Sequence, residues 1–454
     1  MNGSLNRDIL KLALPSILAN ITVPIVGMVD TAVAGHLPAC ELGGAAEFIG
    51  AISVGSMLFS LLYWSFGFLR TGTGGLTAQA YGRGDMHESA MIFARGITLS
   101  GAVAILVLLM QWPFVKLVLA CTQASAAVEA LAERYFFIRV WAAPATISLM
   151  AFRGWFVGMQ DSVSSMWADL VVNIVNIAAS IILALGIGSW NGMGFDGVAL
   201  GTVIAQYSGM LYCMLKCRSK YSGVLSQFRR EELRDCFRPG EFRSYMRLNV
   251  DLFLRSVFFM VIYIGYTMIA ARYGDLMLAC SSIMMHLLML FSYFTDGFAY
   301  AGEALTGRFI GAQDRAMTRL TVRYVFVWSM AIAVLFVGIY MALGVPLLKI
   351  LTDDAQVVEA CRAFLPWLVL MPLLGCAAFT WDGIYLGATA SRPICMSMAG
   401  AAVCFLGTWF ILRLCHEPEG SLAIQYLLAA YFAHLLFRTI FMSAKYRKSI
   451  LTRV

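Results

Sequence analysis

The sequence predicts an all-α polytopic membrane protein with twelve transmembrane helices in two six-helix halves. Three observations carry this. Only 13% of the 454 residues are charged and 60% are hydrophobic, where a soluble domain carries about a quarter charged residues. Apolar runs long enough to cross about 30 Å of hydrocarbon recur along the whole chain. A glycine-bearing segment of the first half returns in the second, about 230 residues later. The short alternating strands of an outer-membrane barrel are absent from the pattern.

Polar breaks separate the spans in order. The first half begins near Leu10, Phe48, Ile92, Tyr135, Met166 and Gly197, and the second near Leu248, Met277, Val322, Ala363, Ile394 and Ile424. The opening "MNGSLNRDILKLALPSIL" lacks a small-residue cleavage site, so it reads as the first span and not as a signal peptide. The longest polar stretch lies mid-chain and holds Arg229, Arg230, Arg234, Arg238, Arg243 and Arg247. By the positive-inside rule it is cytoplasmic. Alternating outward places "GRGDMHESA", "GRFIGAQDRAMTR" and the "KYRKS" tail on the same side, each with Lys or Arg, while "HLPACELGG" and "GSWNGMG" have neither. Both termini are therefore expected in the cytoplasm. The expected organisation is an N-terminal lobe, 1–218, a cytoplasmic linker, 219–243, and a C-terminal lobe, 244–454. The net charge of +7 sits in these loops, so topology explains it and no nucleic acid is expected.

The repeat is read directly. Leu76-Thr77-x4-Gly82-x2-Asp85 matches Leu305-Thr306-x4-Gly311-x2-Asp314, and Gly67-Phe68-x3-Gly72 matches Gly297-Phe298-x3-Gly302 one residue out of step. Gly154-x3-Gly158 echoes Gly383-x3-Gly387 at nearly the same offset. Duplicated halves are a secondary-transporter architecture.

No phosphate-cradling loop, H-E-x-x-H, G-x-S-x-G or paired-cysteine metal motif is present. No cofactor or metal is expected, and energy must come from an ion gradient if transport is active. The eleven cysteines show no disulfide-framework or metal-ligand spacing. Ionisable residues inside spans cost on the order of 3 kcal/mol each at the bilayer centre, so each needs a partner or a purpose. Asp30 in "ITVPIVGMVDTAVAGHL" has no basic residue within a helical turn. A carboxylate so placed can load a proton on one side and release it on the other. Pro24 removes a backbone hydrogen bond and offers a hinge. Asn173 and Asn176 share a face of the fifth span, with Ser180 one turn on; they fit equally as acid-holding groups or as helix glue.

The second half carries Asp251, Arg255, Asp296, Glu303 and Asp382. Asp251 and Arg255 have the i, i+4 spacing of an ion pair, and Asp296 and Glu303 lie two turns apart on one face. The network is either glue between helices or a cation or substrate site. Arg70, Arg153 and Arg438, near predicted span ends, read as snorkelling cations. His286 and His434 read as structural.

The chain resembles the multidrug and toxic compound extrusion (MATE) transporters, and within them the DinF-like branch. The carrying stretches are "ALPSILANITVPIVGMVDTAVAGHL", "FGFLRTGTGGLTAQAYG", "RGWFVGMQDS", "GFDGVALGTVIAQY", "LNVDLFLRS", "DGFAYAGEALTGRFIGAQD" and "WDGIYLGAT". The resemblance implies two pseudo-symmetric lobes around a central cavity that rock between two openings. It also implies antiport of bulky, cationic or amphipathic organic compounds against protons, with sodium as the other coupling ion. The family's first-helix aspartate falls on Asp30 as the proton-coupling group. Its fifth-helix pattern N-x-x-N-x-x-x-D is met by Asn173 and Asn176, but Ser180 stands at the acid position. The sixth-helix threonine falls on Thr202, and the DinF-like pattern expects charge at Asp251, Arg255, Asp296, Glu303 and Asp382.

The resulting expectation is a monomeric inner-membrane exporter, not an enzyme, whose partners are small organic substrates and the lipid bilayer. The alternatives are a lipid-linked saccharide flippase of the wider superfamily and, from another class, a membrane-embedded enzyme using Glu303 and Asp382 as an acid/base pair.

Overall fold

The computed structural model describes residues 3–38, 43–120, 125–227, 239–352 and 354–454, and these are almost entirely helical. Among them twelve helices are long and apolar enough to cross a membrane. In chain order they are α1 (Gly3–Gly35), α2 (Ala45–Arg83), α3 (Met86–Leu119), α4 (Ala126–Gly158), α5 (Ser162–Leu185), α6 (Phe195–Lys220), α7 (Phe242–Ala271), α8 (Asp275–Gly311), α9 (Arg315–Leu351), α10 (Leu365–Gly387), α11 (Ser391–Cys415) and α12 (Ser421–Leu451). Arg229, Arg230, Arg234 and Arg238 of the expected cytoplasmic linker lie outside the described residues, as do 39–42 of the first polar loop.

Most helices begin several residues before the apolar run that reveals them. Hydropathy senses the stretch that hydrocarbon must surround, whereas a helix begins where its first N–H groups find an acceptor. In three of the helices that acceptor is an aspartate: Asp85 takes the Glu88 N–H at 2.9 Å, Asp161 the Ser164 N–H at 3.1 Å, and Asp314 the Met317 N–H at 2.9 Å. α10 instead starts two residues late, because Ala355–Arg362 forms a separate short helix before it.

The described chain gathers into two compact units. One comprises Leu18–Thr77 and Asp85–Phe242. Its centre is aromatic: Phe48 stacks on Phe195 at 5.2 Å, Phe59 on Phe136 at 4.8 Å, and the fully buried Trp155 donates its indole N–H to the Ser89 carbonyl at 3.1 Å. The other unit comprises Met1–Ile17, Ala78–Gly84 and Arg243–Val454. Phe291, Phe336, Tyr340, Phe405 and Leu427 form its core. Tyr340 and Tyr385 hydroxyls are satisfied by the Leu287 and Met442 carbonyls, both at 2.5 Å, as buried phenols require. Leu109, Met341, Val403 and Leu414 lie open on the outer surface, where the surrounding solvent must be hydrocarbon for such exposure to be tolerated.

The duplication is repeated in backbone detail. A Cβ on Gly154 would strike the Arg70 carbonyl, and one on Gly383 would strike the Ala299 carbonyl. Gly158 meets the Gly74 carbonyl and Gly387 that of Glu303. Each contact in one unit recurs in the other with both partners displaced by the same interval. The echo in the sequence therefore marks where α2 packs on α4, and α8 on α10, backbone against backbone. Both second helices also end alike. Gln160 (φ 61°) and Thr389 (φ 51°) adopt the left-handed conformation. The following N–H then returns to a carbonyl one turn back, Asp161 to Phe156 at 2.8 Å and Ala390 to Tyr385 at 3.0 Å.

α1 runs unbroken through Pro24, whose ring is exposed. The Thr22 hydroxyl just before it donates to the Ala19 carbonyl at 2.7 Å.

Candidate functional site

Asp30 is 4% exposed. Its carboxylate accepts from the Ser180 hydroxyl at 3.1 Å, across 150 residues of chain. Ser180 is placed there by glycine: the Gly201 Cα approaches so closely that a Cβ would lie 2.8 Å from the Ser180 Oγ, so α5 and α6 touch at this level. One turn earlier on α5, the Asn176 amide donates to the Thr202 hydroxyl on α6 at 3.0 Å, and its Oδ1 is buried without a hydrogen-bond partner. Asn173 donates to Thr22 on α1 at 2.5 Å. Thus Asp30, Asn173, Asn176, Ser180 and Thr202 form one cluster joining α1, α5 and α6.

One further interior charge of this unit, Arg139, is not among the residues picked out above. Arg139, where the first segment of α4 ends, donates to the Tyr135 hydroxyl at 2.8 Å. Its guanidinium lies 4.7 Å from the Phe59 ring centre and 5.6 Å from that of Tyr135, within cation–π range. No basic residue lies within a turn of Asp30 along the chain, and Arg139 stands on another helix. Arg139 falls inside a predicted span, so the rule that singles out Asp30 also singles out Arg139.

The second unit concentrates charge on Asp382, in α10. One carboxylate oxygen, Oδ2, accepts from Arg255 of α7 at 2.8 Å and from Arg438 of α12 at 2.5 Å. The other, Oδ1, is buried without a partner. The expected Asp251–Arg255 pair is not the one that forms: Asp251 accepts from Ser391 at 2.7 Å while Arg255 reaches Asp382. An intrahelical pair gains a few tenths of a kcal/mol, whereas Asp382, flanked by apolar neighbours, has the greater need of a cation. Arg438, expected to snorkel, is 2% exposed and serves this carboxylate. Arg153 likewise pairs with Asp169 at 2.6 Å. Hydropathy places both arginines near span ends and cannot see an acid on a neighbouring helix. Asp296 accepts from Ser292 at 3.3 Å, and Glu303 is fully buried beside Gly387.

A duplicated twelve-helix bundle with a buried carboxylate cluster in each unit defines a polytopic membrane protein of secondary-transporter type. The MatE family pattern matches residues 15–182 and 252–411, which takes in Asp30, Ser180, Arg255, Glu303 and Asp382. The chain is 34% identical over 411 residues to the DNA damage-inducible protein F of Escherichia coli K12, covering 90% of this chain and 86% of that one. It is 24% identical over 431 residues to the Arabidopsis thaliana protein DETOXIFICATION 44, chloroplastic, covering 90% and 77%. Among solved structures, an outward-facing multidrug resistance MATE family transporter of the MOP superfamily superposes with a TM-score of 0.82 at 17% identity, over 99% of this chain and 97% of that one. The chain belongs to the MatE family of membrane transporters.

Proposed function

We propose that the protein is a secondary active antiporter that exports organic, cationic or amphipathic compounds in exchange for protons. Asp30 carries the coupling, with Asn173, Asn176, Ser180 and Thr202 as its polar surround and Pro24 as the hinge of α1. The observation that carries this reading is the Asp30–Ser180 contact: a buried carboxylate whose one hydrogen-bond donor among the described residues is a neutral hydroxyl. Such a group can be protonated without breaking an ion pair. Ser180 in place of a second acid also favours protons over sodium, since a sodium ion needs several oxygen ligands and charge compensation. The clamp of two arginines on Asp382 suits a fixed anchor between helices better than an acid/base catalyst, which must gain and lose its proton. The reading takes the protein as a monomer of the inner membrane with both termini cytoplasmic.

The test is efflux of a fluorescent cation from proteoliposomes under an imposed pH gradient without sodium, for wild type and Asp30→Asn. Response of the wild type alone supports proton coupling at Asp30. Equal responses would move coupling to another carboxylate, with Glu303 next to be tried.

A further inference from the structure

We propose that Cys280 and Cys361 form a redox site at the outer end of the second unit, closing into a disulfide by exchange with a disulfide-bearing oxidoreductase. Its sidedness rests on the orientation taken above, with both termini cytoplasmic.

The two residues are about 80 apart in the chain, a spacing that suggests no pair; the fold makes it. Cys280 lies in the first turns of α8, and Cys361 in the short helix Ala355–Arg362 that precedes α10. Both are free thiols, fully buried. The Cys280 thiol donates to the Val357 carbonyl at 3.8 Å. Val357 stands one turn before Cys361, and helical side chains lean back over the preceding turn. Both sulfurs are therefore gathered at the same carbonyl. The Cys361 thiol in turn donates to the Cys280 sulfur. A single buried cysteine is a small hydrophobe, but two that come from separate helices and meet through their sulfurs are placed for a cross-link.

The pair lies on the side away from the basic loops. Arg308, Arg315 and Arg319 mark where α8 ends and α9 begins. The start of α8 and the end of α9 are then at the opposite face, outside by the positive-inside rule, where disulfides persist. The short helix can open to expose the thiols. Its buried face is Val357, Val358 and Cys361, while Gln356, Glu359 and Arg362 are exposed. Eight residues are too few to hold a helix unaided, so this segment can lift at less than the cost of unfolding the unit. The exchange balances in two steps. The Cys361 thiolate attacks one sulfur of the oxidant's disulfide and expels the other as a thiolate. The Cys280 thiolate then attacks the Cys361 sulfur and expels the oxidant's remaining sulfur. One disulfide forms, one is reduced, and the two cysteine protons end on the oxidant's thiols. The new bond ties the connection between α9 and α10 to the start of α8.

The experiment uses the full-length chain expressed in a bacterial host with an oxidising periplasm. Cells are quenched in acid, free thiols are blocked with N-ethylmaleimide in denaturant, and the chain is digested without reductant for peptide mass mapping. A linked peptide pair carrying Cys280 and Cys361 is expected from most of the wild-type chain, released by reduction and absent from Cys361→Ser. The wild-type map decides by itself should the variant fail to fold. A second arm treats the purified, folded protein with oxidised glutathione before the same map. A pair that closes there but not in cells upholds the site and removes the outward orientation. Both cysteines recovered as maleimide adducts in both arms would overturn the proposal.

Discussion

The Ser180 hydroxyl donates to the Asp30 carboxylate at 3.1 Å, from the position where the resemblance expects a second acid. The substitution exchanges a like charge for a donor. Two carboxylates sharing a site repel and compete for one proton, whereas here a single acid is held in place by a neutral group. On the proposed reading the coupling centre therefore holds one carboxylate, steadied by the Ser180 hydroxyl.

Removing that donor should weaken the centre without emptying it. Ser180→Ala is expected to lower the initial rate of gradient-driven efflux by about tenfold, the loss of one hydrogen bond to a charged group. Ser180→Thr, which keeps the hydroxyl, should retain most of the rate. Rates in proteoliposomes at matched protein content check this; equal rates for wild type and Ser180→Ala would show that the contact does not bear on coupling.

The clamp on Asp382 should govern stability. Asp382→Ala leaves the buried Arg438 and the half-buried Arg255 without their shared acceptor, and breaking a buried pair from one side costs about 3–5 kcal/mol. Replacing all three by apolar residues of similar volume should cost far less. Denaturation in detergent, comparing the single variant with the triple one, reads the difference. If the single variant is no less stable than the triple, the cluster is not held by its charges.

The close crossings at Gly154 and Gly383 should tolerate no side chain. A methyl group at either would meet a carbonyl of the opposing helix, Arg70 or Ala299, and neither backbone can turn aside as a flexible side chain could. Gly383→Ala and Gly154→Ala are each expected to lose at least about 1–3 kcal/mol, measured as a fall in melting temperature. Gly101→Ala, where nothing lies within 4 Å, is the control and should melt like the wild type.

Asp161 provides a pH-dependent contact outside the spans. Burial works against its charged form, yet hydrogen bonds from Lys220 at 2.6 Å, from Ser164 at 2.6 Å and from Tyr221 at 2.7 Å outweigh it. Together they hold the carboxyl below its ordinary value of 3.8. A folded value below the unfolded one contributes stability that is complete above the unfolded value and is lost as pH falls through the folded one. The gap in melting temperature between wild type and Asp161→Asn should therefore be constant near neutrality and close on acidification below 3.8. A gap that does not change with pH would mean that the charge of Asp161 is not what fastens the turn between α4 and α5 to the end of α6.

Much of this fold is legible in one sequence because bilayer insertion is a local requirement. Each span must be apolar over about twenty residues whatever its neighbours do, so hydropathy finds all twelve. Three of the helices begin earlier than the hydropathy breaks for an equally local reason, the capping aspartates Asp85, Asp161 and Asp314. The glycines that align the two halves are visible too, because a backbone crossing admits only one residue type.

Asp30 and Asp382 also declare themselves, as charges that hydrocarbon cannot solvate. Their partners do not. Ser180 meets Asp30, and Arg255 and Arg438 meet Asp382, from helices remote in the chain. Which face of each helix turns inward, and which turn of one stands level with which turn of another, follows from the packing of the whole unit. The sequence by itself determined the helices, their duplication and the two acids that must be answered for. Only the tertiary structure decided which residues answer them, because a charge in low dielectric selects its partner by distance in space, and that distance is set by helix packing and not by position along the chain.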